Sequence, residues 1–387
     1  MRLSDAESIV EEVLRPLSLD KLLNSRDHKV LDVRGGDSEA RNRLFGPDPE
    51  RTVLNAFATH ATKLRHHAVT PGLPPPAAEP VGDQSAFLDL IQRYHERDYT
   101  VRIPDALALS PELQRFARAL EFILHQPVTA LLFWSKAGAK AIVHYDKDDN
   151  IVIQLSGRKR WFISTEPPIL PNKWDRVGEV PPQLGRHETY DVGPGDLIYI
   201  PRGTPHTVDS TSESLHVAIL FRPVTVREAI IAALDQLSDH DRAFREAAPT
   251  RAGGPEILSG KVVDGLARLI AQCRVPGFVG AAMEHRSARA IKDLPALPKA
   301  SVQHAVTPAS RMVHAEFAIS HLIDLPTLVH LSFPGSSLGI HPGAAPALKF
   351  IVEHPSFRVS DIPGLADDVR VALVERLRSS GFLRPAD

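Results

Sequence analysis

Three side chains in this sequence could share a metal ion. His144 and Asp146 lie in the run Ala141-Ile142-Val143-His144-Tyr145-Asp146, and His206 closes Arg202-Gly203-Thr204-Pro205-His206. Side chains two apart in an extended strand face the same way, so His144 and Asp146 are predicted to aim at one point. His206 follows His144 by 62 positions, after the strand-like run Asp196 to Ile200 and a Pro/Gly turn that would present it. Two imidazoles and one carboxylate on one side of an ion leave further positions open, a donor set that suits non-haem Fe(II). The interval alone decides little. His314-Ala315-Glu316 has the same spacing, but no Gly-Asp…Pro-His strand follows it, so it is read as an ordinary pair.

Lys159 stands fifteen residues beyond His144, past the expected hairpin Leu155-Ser156-Gly157-Arg158-Lys159-Arg160. A cation near such a metal could pair with the far carboxylate of a keto acid that chelates the ion at its other end. Alternation puts Lys159 and Trp161 on one face and Arg158, Arg160 and Phe162 on the other. The residues by themselves leave the choice of face open.

The elements that must position these groups form a series of short β-rich runs. Val128 to Trp134, Ala141 to Asp146, Asn150 to Leu155, Arg160 to Ser164, Asp196 to Ile200 and His216 to Phe221 are separated by Gly, Pro, Asp and Ser. Such a series predicts an all-β barrel or sandwich. Before it, apolar spacing predicts one or two short helices from Leu3 to about Leu23, a strand at Val30 to Val33, a helix from Ser85 to Arg97 and a strand at Thr100 to Pro104. A further helix is predicted from Pro111 to His125, and the proline-rich stretch Thr70 to Asp83 reads as a stiff exposed loop.

After Pro223 the pattern turns helical. Thr225-Val226-Arg227-Glu228 fits a capping box, with Val226, Ile230, Ala233, Leu234 and Leu237 continuing one stripe. A second helix is predicted from Pro255 to Cys273, with Val262, Leu266, Leu269 and Ile270 facing inward. Such stripes need a cover, either a second subunit or the barrel. The C-terminal stretch predicts helices at Ala345 to Glu353 and Ala366 to Ser379 and a closing strand at Phe382-Leu383, an order like that of a winged helix.

Taken together, HYDKDDNIVIQLSGRKRW, YDVGPGDLIYIPRGTPHTV and SLHVAI resemble the JmjC/cupin-type 2-oxoglutarate oxygenases, most of all the ribosomal oxygenase branch. That resemblance implies an α+β chain with a double-stranded β-helix (jelly-roll) barrel and flanking helices, a helical dimerisation region and a C-terminal winged-helix-like domain. The corresponding segments are residues 1–222, 223–300 and 301–387. By position, the resemblance implies that His144, Asp146 and His206 hold Fe(II) and that Lys159 holds 2-oxoglutarate, with His216 lining the cosubstrate pocket and O₂ as second cosubstrate. Ala218 and Leu220 stand where the family carries hydroxyl-bearing residues, and its Asn-x-Tyr element is replaced by Leu131-Leu132-Phe133-Trp134. The implied activity is peptidyl hydroxylation at the β-carbon of histidine or arginine, in a ribosomal protein or a ribosomally made peptide natural product, by a homodimer. Lysine demethylation and a non-catalytic metal-binding scaffold are the alternatives.

Composition narrows the partners. The chain has 387 residues, 45 Lys and Arg against 47 Asp and Glu, and one cysteine, Cys273. No intrachain disulfide is possible, and the near-neutral balance gives no pull toward nucleic acid or an anionic membrane. From Pro346 onward six basic residues face six acidic ones, so the C-terminal domain is not expected to bind DNA. No apolar run approaches the roughly 20 residues of a membrane span. The acidic N-terminal helix does not resemble a secretory leader, and the expected location is cytoplasmic.

Overall fold

The computed structural model describes residues 3–35, 38–60, 67–69, 83–104, 106–171, 182–248, 254–299, 305–325 and 327–386. The expected proline-rich loop falls almost wholly outside them. The chain forms two compact units, Arg2–Pro223 and Val224–Asp387.

In the first unit, helices α1 (Leu3–Leu14), α2 (Leu19–Asn24), α3 (Ser38–Arg43), α4 (Pro49–His60), α5 (Gln84–Glu96) and α6 (Pro111–Leu124) alternate with β1 (Leu31–Val33), β2 (His67–Val69) and β3 (Thr100–Ile103). Then come β4 (Val128–Ser135), β5 (Asp149–Ser156), β6 (Lys159–Ser164), β7 (His187–Val192), β8 (Leu197–Ile200), β9 (His206–Ser210) and β10 (Ser214–Phe221). Helix α6 begins where the sequence predicts, because Ser110 accepts a hydrogen bond from the Leu113 amide and Pro111 needs no partner for its nitrogen. It ends at His125, which adopts a left-handed conformation. Leu113, Phe116, Ala117 and Leu120 form its buried stripe.

The strands build two facing sheets. One has seven strands in the order β1-β8-β5-β10-β4-β3-β2, and the other has three in the order β7-β6-β9. All their pairings are antiparallel. Trp161, Ile163, Val192 and Val208 of the smaller sheet pack against Val152, Ile198 and Ile200 of the larger. This is the expected β-helix barrel with flanking helices.

Two local expectations fail. Ala141–Asp146 is not a regular strand: isolated bridges join Lys140 to Asp209 and His144 to His206, and between them the Ala141 amide donates to the Val208 carbonyl at 3.0 Å. Four steps along one chain match three along the other, so one residue is extra and the ladder is interrupted, as at a β-bulge. Nor do β5 and β6 form a hairpin. β5 pairs with β8 and β10, β6 with β7 and β9, and the turn carries the chain from one sheet to the other. Gly157 makes that crossing at φ +63, where a Cβ would lie 1.8 Å from the Glu213 carbonyl oxygen.

The second unit begins with α7 (Val226–His240), α8 (Gly254–Cys273) and α9 (Phe278–Asp293). The Thr225/Glu228 capping box forms in both directions. Ala232, Ala233 and Leu237 of α7, Leu269 of α8 and Ala282 of α9 make a small common core. Of the α8 stripe expected inside, only Leu269 is buried; Val262, Leu266 and Ile270 are each more than half exposed, at 51, 53 and 55%. The remainder holds β11 (Arg311–His314), β12 (His321–Asp324), β13 (Val329–Phe333), β14 (Ser336–Ile340), α10 (Ala345–Glu353), β15 (Ser356–Arg358), α11 (Asp367–Ser379) and β16 (Leu383–Pro385). Its strands form two three-stranded sheets, β15-β11-β16 and β12-β13-β14, around a core that includes Met312, Phe333, Ile351 and Phe382. His314 lies half-buried there, with its Nε2 on the Ile351 carbonyl and its ring against Phe382, and among the described residues it belongs to no group of three potential metal ligands.

Candidate metal centre

His144, Asp146 and His206 come together. One potential ligand atom from each lies within 4.8 Å of the others, and among the described residues no other such group of three occurs. Backbone hydrogen bonds run both ways between His144 and His206, at 3.0 and 2.8 Å, which sets their rings side by side with centroids 4.4 Å apart. The extra residue in the interrupted ladder shifts the alternation by one, so that His144 pairs with His206 and the two rings meet.

The imidazoles are oriented by the same device. His144 Nδ1 lies 2.9 Å from the Ile142 carbonyl oxygen and His206 Nδ1 lies 2.9 Å from the Thr204 carbonyl oxygen. Each ring therefore donates from Nδ1 and keeps the Nε2 lone pair for an ion, the usual arrangement of metal-bound histidine. Burial, followed by the neighbouring His144, holds His206 below the ordinary imidazole range despite the opposing pull of Asp146, which favours the neutral form a metal requires. The Asn150 side-chain amide donates to Asp146 Oδ2 at 2.9 Å and so fixes the carboxylate. This contact had a sequence signal only in hindsight, four residues beyond Asp146.

A cavity of about 580 Å³ opens from these three residues and runs between the sheets to Lys159. That volume suits a small ligand. Lys159 is 3% exposed. Its face, undecided by alternation, is the inner one: Arg160 points outward and pairs with Asp191 at 2.7 Å. The Lys159 ammonium donates to Ser135 Oγ at 2.8 Å and Ser210 Oγ at 2.9 Å. No carboxylate among the described residues pairs with it, and burial lowers its pKa to about 7. Ala218 and Leu220 carry no hydroxyl into this pocket, whereas Ser135 of β4 and Ser210 of β9 do. Their signal was alternation: Ser135 shares a face with Leu131 and Phe133, and Ser210 shares one with His206, which begins β9 instead of ending a turn.

His216 lines the same cavity. Its ring stacks on Phe133 with centroids 4.9 Å apart and meets the edge of Trp161 at 5.7 Å. Burial, and then the Lys159 cation, depress its pKa well below the usual value, so it is neutral. Leu131, Ala218, Leu220 and Val208 complete an apolar lining. Trp134 takes no part; it is buried elsewhere and donates to Glu213 at 2.9 Å.

Comparison with known proteins agrees with this geometry. Residues 105–229 match the JmjC domain family. Ribosomal oxygenase 2 of Bos taurus is 32% identical over 139 residues, covering 34% of this chain and 29% of that protein. The bifunctional lysine-specific demethylase and histidyl-hydroxylase NO66 of Dictyostelium discoideum is 26% identical over 146 residues, covering 35% of this chain and 27% of its own. The chain therefore spans less than a third of these curated relatives. Escherichia coli YcfD, a ribosomal oxygenase solved with cobalt and 2-oxoglutarate, superposes with a TM-score of 0.53 over 96% of this chain and 99% of its own, at 16% identity. That likeness concerns the fold. The match to the JmjC domain family thus falls on the barrel strands and the helix before them.

Proposed function

We propose that this JmjC-domain chain is an Fe(II)- and 2-oxoglutarate-dependent dioxygenase that hydroxylates a side chain of a polypeptide. One observation carries the reading. A lysine ammonium is buried among hydroxyls without a carboxylate partner, at the far end of a cavity that begins at two Nε2 atoms and a carboxylate. A buried cation without a counter-ion is costly, and an incoming dicarboxylate relieves that cost.

The residues fit the implied metal and cosubstrate. His144, Asp146 and His206 would hold Fe(II) from one side, and Lys159 with Ser135 and Ser210 would hold the distal carboxylate of 2-oxoglutarate. Bound together, iron and 2-oxoglutarate would supply O₂ activation coupled to oxidative decarboxylation to succinate and CO₂. The protein's own residues orient and seclude. Nδ1 anchoring aims both imidazoles, Asn150 holds Asp146, His216 packs as a neutral wall, and Trp161, Val208 and Leu131 keep water from the reacting carbon.

The likeness to ribosomal oxygenases supports a ribosomal protein as substrate, with a ribosomally made peptide as the other candidate, and points to the β-carbon of histidine or arginine. Demethylation would need a seat for a methylammonium, yet the only carboxylate among the described lining residues is Asp146. A second copy is the partner that the helical region suits. On α7, Val226 and Ile230 are 79 and 53% exposed, and on α8 Val263 is 62% exposed beside the open stripe. Apolar faces of this kind are normally covered. The C-terminal elements support a winged-helix-like reading, and their balanced charge argues against nucleic acid as a partner. No described helix is long and apolar enough to cross a membrane; together with the single cysteine, this accords with a cytoplasmic location.

Succinate formation from 2-oxoglutarate in the presence of Fe(II), ascorbate and O₂ tests the assignment. Wild-type protein should produce it slowly without substrate, and His144→Ala and His206→Ala should not. Equal turnover by wild type and both variants would overturn it.

A further inference from the structure

Besides Lys159, the cavity is lined by the cation of Arg102. Arg102, on β3, sits beside Phe133 of β4, which in turn sits beside His216 of β10, so the three form one row across the larger sheet. All three line the cavity. Lys159 reaches the same space from β6 of the opposite sheet. Arg102 is only partly exposed, its Nε is buried, and that atom has no hydrogen-bond partner. Among the described residues, none forms an ion pair with its guanidinium.

A charge count shows what Arg102 is left to do. The described residues lining the cavity include one carboxylate, Asp146, and three cations, Arg102, Lys140 and Lys159. Lys140 is paired with Asp209 at 3.1 Å and drops out. With Fe(II) (+2) and the 2-oxoglutarate dianion (−2) in place, Asp146 (−1) and Lys159 (+1) bring the sum to zero. Among the described residues, Arg102 then adds one positive charge without a compensating carboxylate, beside an apolar wall. A substrate side chain bearing a second positive charge would meet it without a counter-ion. A carboxylate would neutralise it and could take two parallel N–H donors from the planar fork.

We infer that Arg102 is a specificity-determining residue and that the polypeptide side chain entering this cavity carries a carboxylate. The inference rests on the oxygenase reading and alters it at the substrate: an acidic residue takes the place of the histidine or arginine that family likeness suggests. In this assignment Arg102 meets the substrate side chain, while Lys159 meets 2-oxoglutarate.

The test uses full-length protein loaded with Mn(II) and 2-oxoglutarate under nitrogen, which prevents turnover. N-acetyl-aspartate, N-acetyl-asparagine and N-acetyl-arginine methylamides serve as probes, and Mn(II)-induced relaxation of their protons reports both binding and closeness to the metal. The aspartate probe should bind at least about tenfold more tightly than the asparagine probe, and the arginine probe most weakly. Arg102→Gln should abolish the aspartate preference while leaving 2-oxoglutarate affinity within about twofold. Arg102→Lys, which keeps the charge and loses the fork, should retain part of the preference and serves if the glutamine variant does not fold. An arginine probe that binds as well as aspartate, a preference that survives Arg102→Gln, or no binding by any probe would overturn the inference. So would a marked loss of 2-oxoglutarate affinity in Arg102→Gln, which would make Arg102 a cosubstrate contact. If wild type fails to take up Mn(II) and 2-oxoglutarate at all, the oxygenase reading itself falls.

Discussion

Lys159 should make 2-oxoglutarate binding strongly pH-dependent. Burial brings its pKa down to about 7 in the free cavity, and only the protonated ammonium can hold a carboxylate. Binding therefore takes up a proton above that pKa. The apparent dissociation constant should scale as one plus ten raised to (pH − 7), which between pH 6.5 and 8.5 is a rise of roughly 25-fold, approaching tenfold per unit at the alkaline end. Calorimetric titration of 2-oxoglutarate into Mn(II)-loaded protein without oxygen measures this directly. Near pH 8 the heat should vary with the ionisation enthalpy of the buffer, by close to one proton per ligand. The metal ligands do not intrude, because the bound ion holds them deprotonated. Lys159→Arg supplies the control: a guanidinium stays charged throughout, so its affinity, whatever its absolute value, should be flat. A flat wild-type profile, or an equally sloped arginine variant, would refute the assignment of Lys159 as the titrating anchor.

Three other outcomes can be checked independently. Asn150→Leu removes the amide that fixes Asp146 Oδ2 and should weaken Co(II) binding by about 10- to 100-fold, read from visible absorption, with little change in unloaded stability. Asp149 is fully buried, and burial raises its pKa to about 6, outweighing the opposing pull of the Arg202 amide and the Arg26 guanidinium. Its folded pKa lies above the unfolded value of 3.8, so stability should fall as pH rises from about 4 to about 6 and then level off, by up to about 3 kcal/mol. Asp149→Asn should flatten that part of a denaturation series, and an unchanged slope would rule the group out. Placing charge on the open α8 face, as Leu266→Glu with Ile270→Glu, should halve the solution mass by light scattering and leave circular dichroism unchanged; a wild-type monomer would rule out the proposed dimer.

The residue types and their order along the chain carried the centre of this protein. His144, Asp146 and His206 were legible because metal ligation restricts chemistry to a few side chains and strand geometry restricts their spacing. Helix α6 and the start of α7 were legible because Ser110, Pro111, Thr225 and Glu228 satisfy terminal backbone groups locally. Only the folded chain decided what depended on distant partners. The inward face of Lys159 follows from β6 pairing with β9, and its hydroxyl partners arrive from positions 24 and 51 residues away. The interruption that aims His144 exists because Ala141–Asp146 meets β9 out of step, a mismatch that neither segment contains alone. The α8 stripe misled because periodicity identifies an apolar face but not what covers it, and among the described residues α7 and α9 cover only Leu269 of that stripe.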